Sequence, residues 1–152
     1  MTVTHTRGRE LTSEADVRDV LARARVVAVL GAHTEHTRPA FYVPEYMRSA
    51  GSRILPVNPA LAGGNVFGEP IRSSLTEIDE PVDVVDVFRR AEALPPHLDE
   101  ILGMKHKPGV VWLQLGIRND TFARALLDAG IDVIQDRCML ADHRRMGVGR
   151  IA

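Results

Sequence analysis

The spacing of apolar and polar positions changes several times along the chain, and each change marks an element. Residues 1–10 (MTVTHTRGRE) are polar and aperiodic, the pattern of a flexible tail. In LTSEADVRDVLARAR, residues Leu11, Val17, Val20, Leu21 and Ala24 have the spacing of a core-facing helical stripe. Thr12 or Ser13 can cap that helix, and Glu14 and Asp16 suit the positive end of its dipole. Five short apolar runs follow: VVAVLG (26–31), RILPVNP (53–59), VDVVDVF (82–88), GVVWLQLG (109–116) and IDVIQD (131–136). Largely continuous apolar runs of this kind predict strands of a parallel sheet covered on both faces. Helical segments separate most of them. RPAFYVPEYMRSAG stops at Gly51, a natural residue just past a helix end. A second helix is predicted over roughly Ala91 to Gly103. A third, NDTFARALLDAG, can be capped by Asn119 or Asp120 and stops at Gly130. Pro44 lacks the N–H that would bond to Ala40, which predicts a kink or a late start in the first of these helices.

Alternating strands and helices predict an α/β protein: a three-layer, Rossmann-like fold with a five-stranded parallel sheet in the order 3-2-1-4-5. Its crossovers are right-handed. The expected organisation is a tail over 1–10, one domain over 11–143 and a second tail over 144–152. The switch point then lies between strands one and four, and the crevice outside the carboxyl ends there is the expected ligand site. Residues 59–81 show no clear period and are expected to hold a short strand or turn around Val66 and Ile71.

Composition narrows the function. At 152 residues the chain is the size of one domain, and 45% hydrophobic with 26% charged residues is a globular balance. A net charge of −1 argues against broad capture of nucleic acid or an anionic membrane. Cys138 is the single cysteine, so no disulfide forms within the chain, which suits a reducing cytoplasm. The N-terminal residues lack the apolar segment of a signal peptide, and the longest apolar run is too short for a membrane span.

The strand ends carry the chemistry. Gly31, at the end of the first strand, permits a tight turn that points backbone N–H groups at a phosphate, with a helix start beyond it. Arg38 and Pro39 sit where that helix begins, and Arg38 suits a phosphate contact. His33 and His36 have H-x-x-H spacing, but no acidic or cysteine cluster supports a metal, and solvated loop histidines are expected. Dinucleotide folds place Asp or Glu about 20 residues past their glycines to hold ribose hydroxyls. Asn58, flanked by Pro56 and Pro59, stands there instead and argues against NAD. Arg89 and Arg90 cannot both enter the core, so one is available to a phosphate. Asp83 and Asp86 point to opposite faces of their strand, which excludes a paired-carboxylate site. Trp112 is expected in the core, Cys138 as a buried thiol, and Arg137 in an ion pair with Asp136.

Taken in order, VAVLGAHTEHTRPAFYV, ILPVNPALAGGNVFGEPI, VDVVDVFRRAE, VWLQLGIRND and AGIDVIQDRC resemble the small bacterial CoA-binding proteins. These are similar to the N-terminal domain of the succinyl-CoA synthetase alpha subunit. The resemblance covers roughly residues 10 to 143. It implies that Gly31, Ala32, His33 and Arg38 lie near phosphates and Val57, Asn58 and Pro59 near the adenosine of coenzyme A. It further implies that Phe88, Arg89, Gln114 and Gly116 line the way to the pantetheine arm. The implied role is a non-catalytic binding, sensing or carrier protein for CoA or an acyl-CoA, acting alone, as a homo-oligomer or with a partner subunit. The alternatives are an NAD(P)-binding regulatory domain and a nucleotide-binding subunit that needs a partner chain for catalysis. Relatives carry serine where this chain has His33, and lysines where it has Ala60 and Gly64. Loss of those lysines implies weaker CoA binding or a shifted nucleotide preference.

Overall fold

In the computed structural model, which describes residues 6–151, each of the five apolar runs contains one strand of a single parallel sheet. Helix α1 (Glu14–Ala22) is capped by Ser13, whose hydroxyl accepts from the Asp16 N–H, and it buries Val17, Val20 and Leu21. Strand β1 (Val26–Leu30) leads to α2 (Pro39–Ser49) and β2 (Arg53–Val57). A short antiparallel ribbon follows, β3 (Asn65–Val66) with β4 (Glu69–Pro70). Then come β5 (Val84–Val87), α3 (Pro95–Leu102), β6 (Val110–Leu113), α4 (Asp120–Asp128), β7 (Asp132–Ile134) and α5 (Met139–Arg145). The helix expected from Ala91 is split: a 3-10 turn at Ala91–Ala93 precedes α3.

The sheet runs β2-β1-β5-β6-β7. Arg72 also forms a parallel bridge with Val57 on the outer side of β2. When that segment is counted as a strand, the order reads 3-2-1-4-5 with β7 beyond it, so the expected order differs only in numbering. The chain reverses direction across the sheet between β1 and β5, at the switch point expected between strands one and four.

Both faces are covered, as the apolar runs require. Val27, Val29, Val84, Trp112 and Ile134 pack against α1, α2 and α5 through Val17, Leu21, Val43, Met47 and Met139. Leu30, Leu55, Val85, Val87, Val111 and Val133 pack on the other face against Ile101, Phe122, Leu126 and Leu75. Trp112 is a core residue, as expected, and its indole N–H donates to the Arg137 carbonyl.

Two expectations need correction. Residues 1–5 of the expected tail lie outside the described residues, but Gly8 is fastened to α4 and Arg9 to Leu11 to β7. The Gly8 N–H bonds to the Leu127 carbonyl, Val133 donates to Arg9, and Leu11 donates to Val133. The expected C-terminal tail is likewise anchored: α5 extends to Arg145, Ile151 is buried, and its N–H bonds to the Ala50 carbonyl. Backbone pairing needs no apolar side chains, so polarity gave no sign of it.

Candidate functional site

A crevice of about 630 Å³ opens at the carboxyl ends of β1, β5 and β6. That is the size of an ordinary small-molecule site, at the place where α/β folds bind ligands. Gly31, His33, Arg38 and Pro39 form one wall with Tyr42 and Val43 of α2. Asn58 lies at the β2 side, while Phe88, Arg89 and Arg90 rise from the end of β5. Gln114, Leu115, Gly116 and Ile117 close the β6 side, with Cys138 beside them.

The turn after β1 is built by close approach. Gly31 has φ +88°, and a Cβ there would stand 2.7 Å from the Phe88 carbonyl oxygen and 3.5 Å from Arg89 Cδ. Only glycine fits that contact with that backbone. The N–H groups of Gly31 and Ala32 both bond to the Val57 carbonyl, at 2.9 and 3.2 Å, so they are spent on the fold. Helix α2 begins at Pro39, and Pro44 stays within it without a late start. The carbonyl of Ala40, which Pro44 cannot reach with an N–H, accepts from the His33 N–H at 3.4 Å. The helix defect is thereby satisfied by the loop.

The loop's own side chains are partly committed. Arg38 pairs with Glu35 at 2.7 Å, and this guanidinium holds the Glu35 carboxyl below its usual range. His33 Nδ1 accepts from the Glu35 N–H at 3.0 Å, and the residue lines the crevice. His36 stacks on Phe41 with ring centroids 4.2 Å apart. Among the described residues no group of three or more His, Cys, Asp or Glu is placed to hold a metal.

Of the residues expected at the adenosine end, Asn58 lines the crevice, but its amide is occupied. Its Nδ2 donates to the Ala32 carbonyl at 2.8 Å and its Oδ1 accepts from the Ala60 N–H at 3.0 Å. Ala32 and Val57 are buried behind the wall, and Pro59 is exposed in a 3-10 turn, Pro59–Leu61, outside it. Asn58, Ala32 and Val57 connect the two loops from behind the surface.

The β5 end holds the available positive charge. Arg89 is half-buried, and its Nε is a buried donor with no partner among the described residues. Arg90 is exposed on the same rim. Neither makes an ion pair among the described residues. On the β6 side, Gly116 has φ +85° and donates its N–H to Asp136 Oδ1, which fixes the turn that carries Leu115. Beneath the floor, Asp86 is 1% exposed. Its Oδ1 accepts from Gln114 Nε2 at 2.7 Å, while Oδ2 has no partner among the described residues. Burial pushes its carboxyl up to about 8, against the single hydrogen bond from Gln114.

Two further expectations change here. Arg137 pairs with Asp142 at 2.7 Å and Glu14 at 3.3 Å, not with Asp136, whose carboxylate is turned to Gly116. Cys138 is half-buried rather than buried and lines the crevice. Sequence reasoning missed Tyr42, which lies inside α2 away from any strand end. Arg90 joins Arg89 at the crevice, where one of the two was expected to meet a phosphate, and Leu115 lies between the expected Gln114 and Gly116.

Comparison with known proteins agrees with this geometry. YneT of Bacillus subtilis, an uncharacterized protein, is 37% identical over 131 residues, covering 86% of this chain and 94% of its own. A structure from Thermus thermophilus shares 48% identity with a TM-score of 0.84, covering 89% of this chain and 99% of that one. A hypothetical protein from Pyrococcus horikoshii shares 28% identity at a TM-score of 0.79, covering 94% and 98%. Residues 25–144 match the CoA binding domain family. The parallel sheet, its switch-point crevice and this match over most of the chain agree, and the protein belongs to the CoA binding domain family.

Proposed function

We propose that the chain binds coenzyme A, or an acyl-CoA, in this crevice and serves as a non-catalytic binding, sensing or carrier protein. One observation carries the reading: the buried, unpartnered Nε of Arg89 lies beside the close-packed Gly31 turn. A buried donor without an acceptor is costly, and an anionic oxygen would satisfy it. Arg90 and Arg38 on the same crevice give a phosphate-bearing ligand further positive partners. The start of α2 adds the partial positive charge of a helix N-terminus. Arg38 would share its guanidinium between Glu35 and the ligand.

NAD fits less well. Asn58 is neutral, and both ends of its amide are bound to backbone, so it offers no carboxylate to ribose hydroxyls. The non-catalytic reading is supported by the commitments of the loop's acid and base. Glu35 is paired with Arg38, and His33 Nδ1 is held by the loop backbone.

Calorimetric titration of CoA and NAD, beside mass spectrometry of whatever leaves the protein on denaturation, tests the proposal. CoA is expected to bind well below about 1 mM and NAD not to bind at that level. NAD binding without CoA binding would overturn the reading. Turnover of an added acyl-CoA would overturn its non-catalytic part alone.

A further inference from the structure

A carboxyl group in the middle of β5 is out of place on stability grounds. Asp86 stands between Val29 of β1 and Trp112 of β6 in the sheet register, inside a four-residue strand that is buried throughout. An aliphatic side chain would fill that position without a desolvation cost. Among the described residues, the one hydrogen bond of the Asp86 side chain is the one it accepts from Gln114 Nε2. Gln114 lies two residues beyond Trp112, so its side chain leaves the same face of the sheet as Asp86. It is 4% exposed and lines the crevice. Its Oε1 accepts no hydrogen bond from the described residues and is not among the fully buried orphan atoms. The amide is therefore held at its nitrogen end from below, and its oxygen is the free end.

We propose that Asp86 is a positioning residue for ligand recognition. It holds the Gln114 carboxamide so that Oε1 stands at the crevice as an acceptor for an N–H of an amide-bearing ligand arm. This rests on the reading of the crevice as a CoA site and sharpens it. The β6 side would then receive the pantetheine arm, which carries two secondary amides; the adenine amino group is the other N–H donor of CoA, and comparison with adenosine 3′,5′-bisphosphate separates the two. Acceptor polarity at this point discriminates, because a ligand lacking an N–H there leaves the oxygen desolvated and unpaired. Asp86 touches no ligand in this scheme and acts only through Gln114.

The test uses the full chain and the variants Asp86→Val, Gln114→Met and their combination. Asp86→Val suits a buried parallel strand, so folding is retained. Titrations use CoA and adenosine 3′,5′-bisphosphate, which lacks the pantetheine arm. Asp86→Val is expected to weaken CoA by about five- to tenfold and to leave the bisphosphate within about twofold. Gln114→Met should weaken CoA by a similar factor, and the double variant should be no weaker than either single one. Equal weakening of both ligands in Asp86→Val would show a merely structural role and overturn the proposal, as would unchanged CoA affinity. A readout without ligand accompanies these. In nitrogen-15 spectra the Gln114 side-chain NH₂ pair should be resolved and protected from exchange in the native protein and lose that protection in Asp86→Val. An unprotected native pair would refute the Asp86–Gln114 contact even where CoA binds. A native protein that fails to bind CoA, with the pair protected, would refute the CoA reading and with it the role in recognition.

Discussion

Asp86 makes the stability of this protein depend on pH in a direction opposite to that of a salt-bridged carboxylate. Its ordinary value near 3.8 is raised to about 8 by burial. The group contributes its full stability below 3.8, where folded and unfolded chains are both neutral. That contribution is lost progressively as the pH rises toward 8, because the unfolded chain gains by ionising and the folded chain does not. Each unit is worth about 1.4 kcal/mol, so the span from 3.8 to pH 7 amounts to about 4 kcal/mol. Local relaxation reduces this, and about 2–4 kcal/mol is the working figure. Asp86→Asn keeps the shape and a hydrogen-bonding partner for Gln114 and cannot ionise. It is expected to stabilise the protein by that amount at pH 7, a rise in Tm of roughly 5–15 °C for a chain of this length. The gain should shrink toward zero near pH 4. Guanidinium unfolding at several values between pH 4 and 8 measures both curves. Parallel curves for the two proteins would mean that Asp86 is not held neutral in the fold, and the reasoning would fail.

Three other outcomes follow from the geometry. Gly31→Ala places a methyl 2.7 Å from the Phe88 carbonyl at φ +88°, so it should cost about 1–3 kcal/mol in urea unfolding and abolish CoA binding. Arg38→Ala combined with Arg89→Ala should weaken CoA by at least about tenfold and flatten its salt dependence in calorimetry, and unchanged affinity would remove both from the site. Alkylation of Cys138 by iodoacetamide should slow at saturating acetyl-CoA, whose acylated sulfur does not consume the reagent, since the Cys138 thiol lines the crevice, and an unchanged rate would place the ligand elsewhere.

The sheet, its covered faces and the crevice were legible because each follows from side-chain pattern. Runs such as Val26–Leu30 report burial on both faces, and Gly31 reports the turn. What escaped was set by contacts distant in sequence. Arg137 has an acid beside it in the chain, yet Asp142 one helical turn on and Glu14 at the far end of the chain hold it instead. Asn58 was correctly read as unlike an NAD site, but its role as a clamp between Ala32 and Ala60 needed the two loops in place. The strand period separated Asp86 from Asp83 but carried no information on which face was dry. Ala32, Val57 and Pro59 were placed near the ligand by resemblance, and they lie behind or beside the crevice wall.

The anchored ends have a consequence for how copies of this chain meet. Arg9 and Leu11 exchange backbone hydrogen bonds with Val133 along the outer side of β7. Arg72 does the same for Pro56 and Asn58 along β2. Each outermost strand thus carries a bridge to one of the chain's own segments, β7 at Val133 and β2 at its carboxyl end. Joining two sheets edge to edge, the usual route to fibrillar aggregation, would first require one of these segments to peel away.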